Sequence, residues 1–384
     1  MRTISRRYRP GDETQINALY RLVSGRERGA EEFAWEWLDT WAGQGSMNLL
    51  FDLDRDEGDQ LIAQYSLIPT PLSVWGRPAL AGKTENCMSH PDCRGTGLYS
   101  RHERECFERE KEKYSFFYTT AGQVAGGAAG KVRMKLGYLP FGNWVLYTLW
   151  LRADVLRDEI SAFVAARGAL GRALAPVVGG LLAPLLQAYS HLRRRRACGY
   201  RVEVHAGGAA PLEEIARLWE RNRALYGVTV DRRVDYLRWR IDDDPHIAHE
   251  YLTMHDDGAL LGYAISFLQD GTLHVVDLLV DGASAALYRH LLAAVCGRAR
   301  ELSAARVQCR TLRGSYLLPQ RVRSAGFADV ARLSPAGFIN SFRRRQFFVY
   351  VPEEWRGDRR VADPANWYVT ELFLEGLPRP TSSA

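Results

Sequence analysis

The sequence predicts an α/β protein in which one fold is used twice, and three observations carry that reading. First, an extended stretch (Leu80 to Met88), a tight Arg94-Gly95-Thr96-Gly97 turn and a charged helical stretch (Ser100 to Lys113) follow one another. Second, helical and extended periods alternate through the rest of the first half. Third, three short strings recur in order, shifted by about 190 to 200 residues. Gly58-Asp-Gln-Leu-Ile-Ala-Gln-Tyr65 returns as Gly258-Ala-Leu-Leu-Gly-Tyr-Ala264, Leu98-Tyr-Ser-Arg-His102 as Leu287-Tyr-Arg-His290, and Lys135-Leu-Gly-Tyr138 as Ser324-Ala-Gly-Phe327. A chain of 384 residues has the length of two domains.

Glu13 to Ser24 has helical spacing (Ile16, Leu19, Tyr20, Leu22, Val23), and Glu31 to Trp41 is a second helical stretch rich in tryptophan. Asn48 to Asp52 and Gln60 to Ile68 read as strands joined by a turn at Asp54-Arg-Asp-Glu-Gly58. After the central motif come a strand (Tyr114 to Thr120), a short helix (Gly126 to Leu136) closed by Gly137, and an extended stretch from Leu139 to Leu151. The expected division is an N-terminal domain over 1–152, a helical connector over 153–200 and a C-terminal domain over 201–384.

Composition narrows the class. A net charge of +6 and a pI near 9.0 suit an anionic ligand such as a nucleotide cofactor or RNA without requiring one. The six cysteines (Cys87, Cys93, Cys106, Cys198, Cys296, Cys309) form no C-x-x-C pair and have no histidine at metal spacing. They read as free thiols in a reducing cytoplasm, and no metal is expected. No apolar run follows the basic Met1 to Arg7, so no signal peptide is expected. Ala173 to Ser190 is uncharged and precedes Arg193 to Arg196. That pattern fits a membrane or membrane-surface helix, but Pro176, Gly179, Gly180 and Pro184 interrupt it, and the connector reading is preferred.

The Arg94–Gly97 turn is a ready anion site. Glycines bring backbone close to a ligand, and the first N–H groups of a helix point at phosphate. Its counterpart in the second half, Asp277-Leu-Leu-Val-Asp-Gly-Ala-Ser-Ala-Ala-Leu287, has no arginine and no Gly-x-Gly, and sets Asp281 where an anion would sit. A carboxylate there repels phosphate. The first half is therefore expected to hold the donor, and the second to be a degenerate partner.

These residues resemble the GNAT superfamily of acyl-CoA-dependent N-acyltransferases. Arg94-Gly-Thr-Gly97-Leu-Tyr99 is similar to the family's Arg/Gln-x-x-Gly-x-Gly/Ala motif except at the last position, His90-Pro91-Asp92 is similar to its lead-in, and Lys135-Leu-Gly-Tyr138 to its closing segment. The tandem arrangement, the Trp-rich helix and Asn366-Trp-Tyr-Val-Thr370 also resemble two-module GNAT-like proteins of bacterial polysaccharide and secondary-metabolite pathways. The resemblance implies, in each module, a splayed mixed and mostly antiparallel sheet flanked by helices. It implies CoA or acyl-CoA as donor, a small-molecule amine as acceptor, and direct attack of the amine on the thioester. The residues it assigns to the donor are Met88, Ser89, Arg94, Gly95, Thr96, Gly97, Leu98, Tyr99 and Arg133.

Such chemistry needs a base for the amine's proton, donors for the oxyanion and an acid for the thiolate. Glu85 stands where family members often carry a general base, and on a regular strand Lys83, Glu85, Cys87 and Ser89 share one face. Lys83 is also an obvious ion-pair partner for it. His90 titrates in a useful range, although in this motif it more often supports the turn. Cys87 and Cys93 are weaker candidates as nucleophiles, having no histidine partner in sequence. Where the family often has a thiolate-protonating Tyr, this sequence has Arg133, and Tyr118 is the candidate substitute. The bulky Tyr99 is a further departure. Two rival readings remain. One is an aminoacyl-tRNA-dependent, amide-forming transferase, with tRNA held through Arg193–Arg196, Arg321-Val-Arg323 and Arg343–Arg345 beside Phe347-Phe348. The other is a non-catalytic GNAT-like binding protein.

Overall fold

Leu61–Val74 is buried along its whole length, and such a strand needs neighbours on both edges and cover on both faces. It is β3 of the sheet seen in the computed structural model, which describes residues 2–120, 128–193, 199–329 and 346–374. Before it come β1 (Thr3–Arg7) and β2 (Ser46–Asp52). After it come β4 (Arg77–Ser89), β5 (Phe116–Thr119) and β6 (Leu139–Trp150). The second half adds β7 (Arg201–Ala206), β8 (Val228–Val230), β9 (Glu250–Asp256), β10 (Ala259–Gln269), β11 (Thr272–Val280), β12 (Arg306–Leu312), β13 (Ala328–Asp329) and β14 (Gln346–Tyr350). The main helices are α1 (Glu13–Ser24), α2 (Ala30–Phe33), α3 (Leu98–Glu110), α4 (Ala128–Lys135), α5 (Ala153–Ala165), α6 (Ala169–Arg193), α7 (Leu212–Asn222), α8 (Val234–Leu237), α9 (Ala285–Glu301) and α10 (Leu318–Ser324).

The strands join in one mixed, mostly antiparallel sheet, ordered β1-β2-β3-β4-β5-β14-β6-β12-β11-β10-β9-β7. The parallel pairs are β4 with β5 and β11 with β12, one per half, and each is crossed by the helix that follows the turn, α3 or α9. The two halves repeat one topology, as the recurring strings predict: those strings fall in β3 and β10, in α3 and α9, and at the ends of α4 and α10.

The halves exchange their last strands. β14, from the second half, inserts between β5 and β6, pairing Phe348 with Thr119 and Phe347 with Gly142. The later part of β6 turns the other way and pairs with β12, from Trp144–Leu312 to Trp150–Arg306. β8 adds a third link by pairing with the end of β3, Leu72 opposite Val230. The core follows this exchange, with Phe141, Trp144 and Phe347 in one cluster with Val307 and Leu312.

A local two-fold relation is visible at two wide helical turns, Ala34–Leu38 and Arg238–Asp242. Trp35 Nε1 donates to the carbonyl of Trp239 (2.8 Å), and Trp239 Nε1 donates to the carbonyl of Trp35 (2.9 Å). The two rings stack with centroids 5.7 Å apart. The helix expected over Glu31–Trp41 is therefore broken into α2 and this turn, and its tryptophans serve the junction between halves.

Two helices stand where the connector was expected. α6 is apolar enough, over Ala169–Ala188, to cross a membrane by length and composition. It packs along α5, where a Cβ at Gly171 or Gly179 would overlap Val164 or Ser161, so these glycines set the close approach. Leu170, Val177, Leu181 and Leu185 on its other side are exposed. Five cysteines are free thiols, while Cys198, Arg194–Arg196 and Arg343–Arg345 are outside the described residues.

Candidate functional site

The Arg94–Gly97 turn folds as its residues dictate. Gly95 and Gly97 take φ of +79° and +81°, conformations that side chains resist, and Gly97 starts α3. Thr96 Oγ1 donates to the Cys93 carbonyl (2.7 Å) and accepts from Leu98 N–H (3.3 Å), fixing the turn from within. His90 Nδ1 accepts from Asp92 N–H (3.3 Å), and Arg55 reaches Asp92 Oδ2 (3.1 Å). Among the described residues, the N–H groups of Gly95, Thr96, Gly97, Tyr99 and Ser100 make no hydrogen bond, and the Arg94 side chain is exposed without an ion pair. The result is an open cradle of donors beside one cation.

β4 leads from this loop to a pocket. Ser66 pairs with Glu85 but Gln64 pairs with Met88, so β4 carries one extra residue. Asn86 absorbs it at φ +46°. This corrects the shared face expected of Lys83, Glu85, Cys87 and Ser89: the bulge keeps Lys83 and Glu85 together and turns Cys87 over, against Tyr65 and Leu67. Lys83 Nζ and Glu85 Oε2 form an ion pair at 2.9 Å. Both line a small pocket, with a cavity volume of about 20 Å³, together with Trp35, Glu36, Ile68 and Thr70 of the first half and Tyr236, Trp239, Arg240, Leu372 and Leu374 of the second. Tyr118, on β5 beside Lys83, is buried on this side, its hydroxyl 3.1 Å from Thr70 Oγ1. Burial holds its phenol well above the ordinary range.

The opposite face of the β4–β5 split carries a second buried group. Arg133 of α4 pairs with Glu103 of α3 and lies over the rings of Tyr65 (5.9 Å) and Tyr138 (5.6 Å). Burial pushes the Tyr138 phenol up to about 12, against the pull of Arg133. The Tyr99 phenol is likewise raised by burial, with the Cys87 thiol and the Arg133 guanidinium beside it.

The structure thus sorts the expected site residues into three places. Arg94, Gly95, Thr96, Gly97, Leu98 and the backbone of Tyr99 form the loop, which His90 braces from beneath. His90 is not in the pocket, because the turn holds it between Arg55 and Asp92. Glu85 lines the pocket, and Tyr118 is buried behind it against the lining residue Thr70. Arg133 and the Tyr99 ring lie across the sheet, while Met88 is in the core and Ser89 ends β4 beside Ala63. Cys93 packs against Leu50 and Ile62, and burial raises its thiol, which is not the setting of a nucleophile. The second half's wall of the pocket went unread in the sequence, although Trp239-Arg240 repeats the Trp35-Glu36 step and offered a signal.

The second loop is occupied from within. Asp281 Oδ1 accepts from Arg221 Nε (2.9 Å) and Asn222 Nδ2 (2.7 Å). Deeper in, Arg232 makes a bidentate pair with Asp277 (2.9 and 2.9 Å), and Tyr263 Oη donates to the same carboxylate at 2.6 Å.

A parallel pair split beyond its register, with a glycine turn feeding a crossing helix, defines an acetyltransferase architecture. Residues 5–126 match the family model of the acetyltransferase (GNAT) domain. The match places a GNAT domain within residues 5–126, and the chain as a whole has a fold similar to tandem GNAT structures. Among solved structures it is similar to a conserved protein from Enterococcus faecalis V583 described as a probable N-acyltransferase (13% identity, 92% of this chain and 73% of that one, TM-score 0.60). It is also similar to a GCN5-related N-acetyltransferase from Anabaena variabilis ATCC 29413 (10% identity, 91% and 73%, TM-score 0.55). A tandem GNAT protein from the clavulanic acid biosynthesis pathway aligns over 91% of this chain and 98% of its own (12% identity, TM-score 0.52). No curated protein matches the chain in sequence.

Proposed function

We propose that the protein is an acyl-CoA-dependent N-acyltransferase whose donor unit is residues 1–152 and whose acceptor is a small-molecule amine. One observation carries the reading: a single strand, β4, has Glu85 in a pocket between the halves and ends at the N–H cradle of Arg94–Tyr99. The donor's pyrophosphate lies in the cradle against Arg94, and its pantetheine arm follows the split between β4 and β5 to bring the thioester to the pocket. The free loop N–H groups and the open space above Gly95 and Gly97 fit such a donor.

In the reaction the acceptor nitrogen attacks the thioester carbonyl. The C–N bond forms, the tetrahedral adduct collapses, and the C–S bond breaks. Glu85 takes the amine's proton directly or through water, and Lys83 holds that carboxylate in place. The departing sulfur gains a proton on the pocket side, from water or from the Tyr118 hydroxyl beside Thr70. The place of work is the cytoplasm, and the likeness to a tandem GNAT protein of a biosynthetic pathway supports a biosynthetic role.

Calorimetric titration with CoA tests the reading. Wild-type protein binds CoA, and Arg94→Glu abolishes binding while the thermal transition is unchanged. Wild-type protein that takes up no CoA at millimolar concentration overturns it.

A further inference from the structure

The pocket wall supplied by the second half contains a buried cation whose hydrogen-bonding capacity is unused. Arg240 is 5% exposed and lines the same pocket as Lys83 and Glu85. Among the described residues, neither Nη1 nor Nη2 makes a hydrogen bond. Asp244 Oδ2 stands 3.7 Å from Nη1, beyond hydrogen-bond reach. Burying a guanidinium in this state is costly unless an acceptor completes it.

The other charges around it are satisfied or shielded. Lys83 and Glu85 hold each other at 2.9 Å, and Glu36 is held by Arg28 at 2.8 Å and by Asn86 at 3.0 Å. Glu371, next to the pocket residue Leu372, is fully buried, and burial lifts its carboxyl above the usual range despite Arg310 and Arg240. Asp244, at 3.7 Å, is the carboxylate nearest the Arg240 fork, and it leaves both Nη groups without a hydrogen-bond acceptor. Above it, the stacked Trp35 and Trp239 form a flat apolar wall, with the Arg240 guanidinium 5.9 Å from the Trp35 ring.

The two-fold relation gives this wall its meaning. Trp35 matches Trp239, so Glu36 matches Arg240, and the second half presents a cation where the first presents an acid. We propose that Arg240 clamps an oxyanion of the acceptor, so that the substrate is an amine that also carries a carboxylate or a phosphate. Its amine lies toward Glu85 and its anion against the guanidinium fork, with the tryptophans covering the carbon skeleton between them. The degenerate half then selects the substrate instead of activating a donor. This inference rests on the pocket being the acceptor site of the proposed transferase.

Malonate and inorganic phosphate are the probes, added to wild-type protein saturated with CoA and to Arg94→Glu, whose loop takes no CoA. Malonate or phosphate raises the melting temperature of the wild type and of Arg94→Glu, and the shift disappears in Arg240→Gln. A larger shift with malonate assigns a carboxylate, and a larger shift with phosphate assigns a phosphate. No shift in the wild type, or an equal shift in Arg240→Gln, overturns the proposal. Should Arg240→Gln fail to fold, calorimetry on Arg240→Lys decides: affinity for the better probe falls at least tenfold, because an ammonium lacks the bidentate fork, and equal affinity overturns it. Failure of the acyl-CoA reading shows separately, as absent CoA binding with the anion-induced shift intact.

Discussion

Asn86 Nδ2 donates to Glu36 Oε1 at 3.0 Å, and the other oxygen of Glu36 meets Arg28 Nη1 at 2.8 Å. A side chain from the turn after α2 therefore pins the bulge that aims Glu85. Glu36→Ala removes the pin and leaves the buried Arg28 without its counter-charge. The expected loss is about 3–5 kcal/mol in urea unfolding, with a smaller loss for Glu36→Gln, which keeps an acceptor for Asn86. A Glu36→Ala protein within about 1 kcal/mol of wild type would show that the bulge holds by itself.

Glu85→Gln preserves shape and removes the proton acceptor. Turnover of acetyl-CoA with an accepted amine falls roughly 10²- to 10⁴-fold, while CoA affinity stays within error. Steady-state kinetics beside calorimetry separates the two quantities, and an undiminished turnover takes the base role away from Glu85.

The Arg232–Asp277 pair holds the second half together from inside. Both side chains are fully buried, and Arg232 also lies over the rings of Trp219 and Tyr368. Asp277→Ala strands a buried cation and lowers stability by about 3–5 kcal/mol, measured by denaturant unfolding. The apolar double replacement Arg232→Met with Asp277→Leu recovers most of that loss, since it removes both charges; a double variant no better than the single would contradict this account.

Acid weakens the fold through three buried histidines. Burial pushes His102, His249 and His274 each down to about 4. The unfolded chain binds protons at these sites near pH 6.5 while the folded chain does not, so stability is full above about pH 6.5 and falls toward pH 4. Each site contributes up to about 3 kcal/mol of that fall. Unfolding measured across this window takes up three protons beyond the carboxylates' share, and His102→Gln removes one of them.

Much of the loop region was legible because it is local. Strand, glycine turn and helix start are consecutive, so Arg94 to Tyr99 could be placed from sequence alone, and Lys83 could be named as the partner of Glu85. The repeat strings marked the two-fold use of one topology because they sit at equivalent points of β3 and β10. Other features were hidden by distance along the chain or by a single residue of register. Nothing near Asn86 announces a bulge, yet that residue turns Cys87 away from Glu85. β1 reads in sequence as a basic N-terminal stretch, and among the described residues it pairs with β2 alone. Arg240 meets Glu85 only after the halves dock, so no local pattern ties the two together.

The crossed final strands also set the timetable on which this protein can be made. Thr119 is synthesised long before Phe348, its neighbour across β5 and β14. At ordinary ribosomal rates the gap is roughly 10–45 s. Through that interval β5 has a bare edge with unpaired N–H and C=O groups, open to any other nascent strand. The Arg94–Tyr99 loop and β4 are thus among the first parts translated and belong to a sheet that is among the last to be finished. For this chain, the second half is needed for the first to become a closed sheet at all.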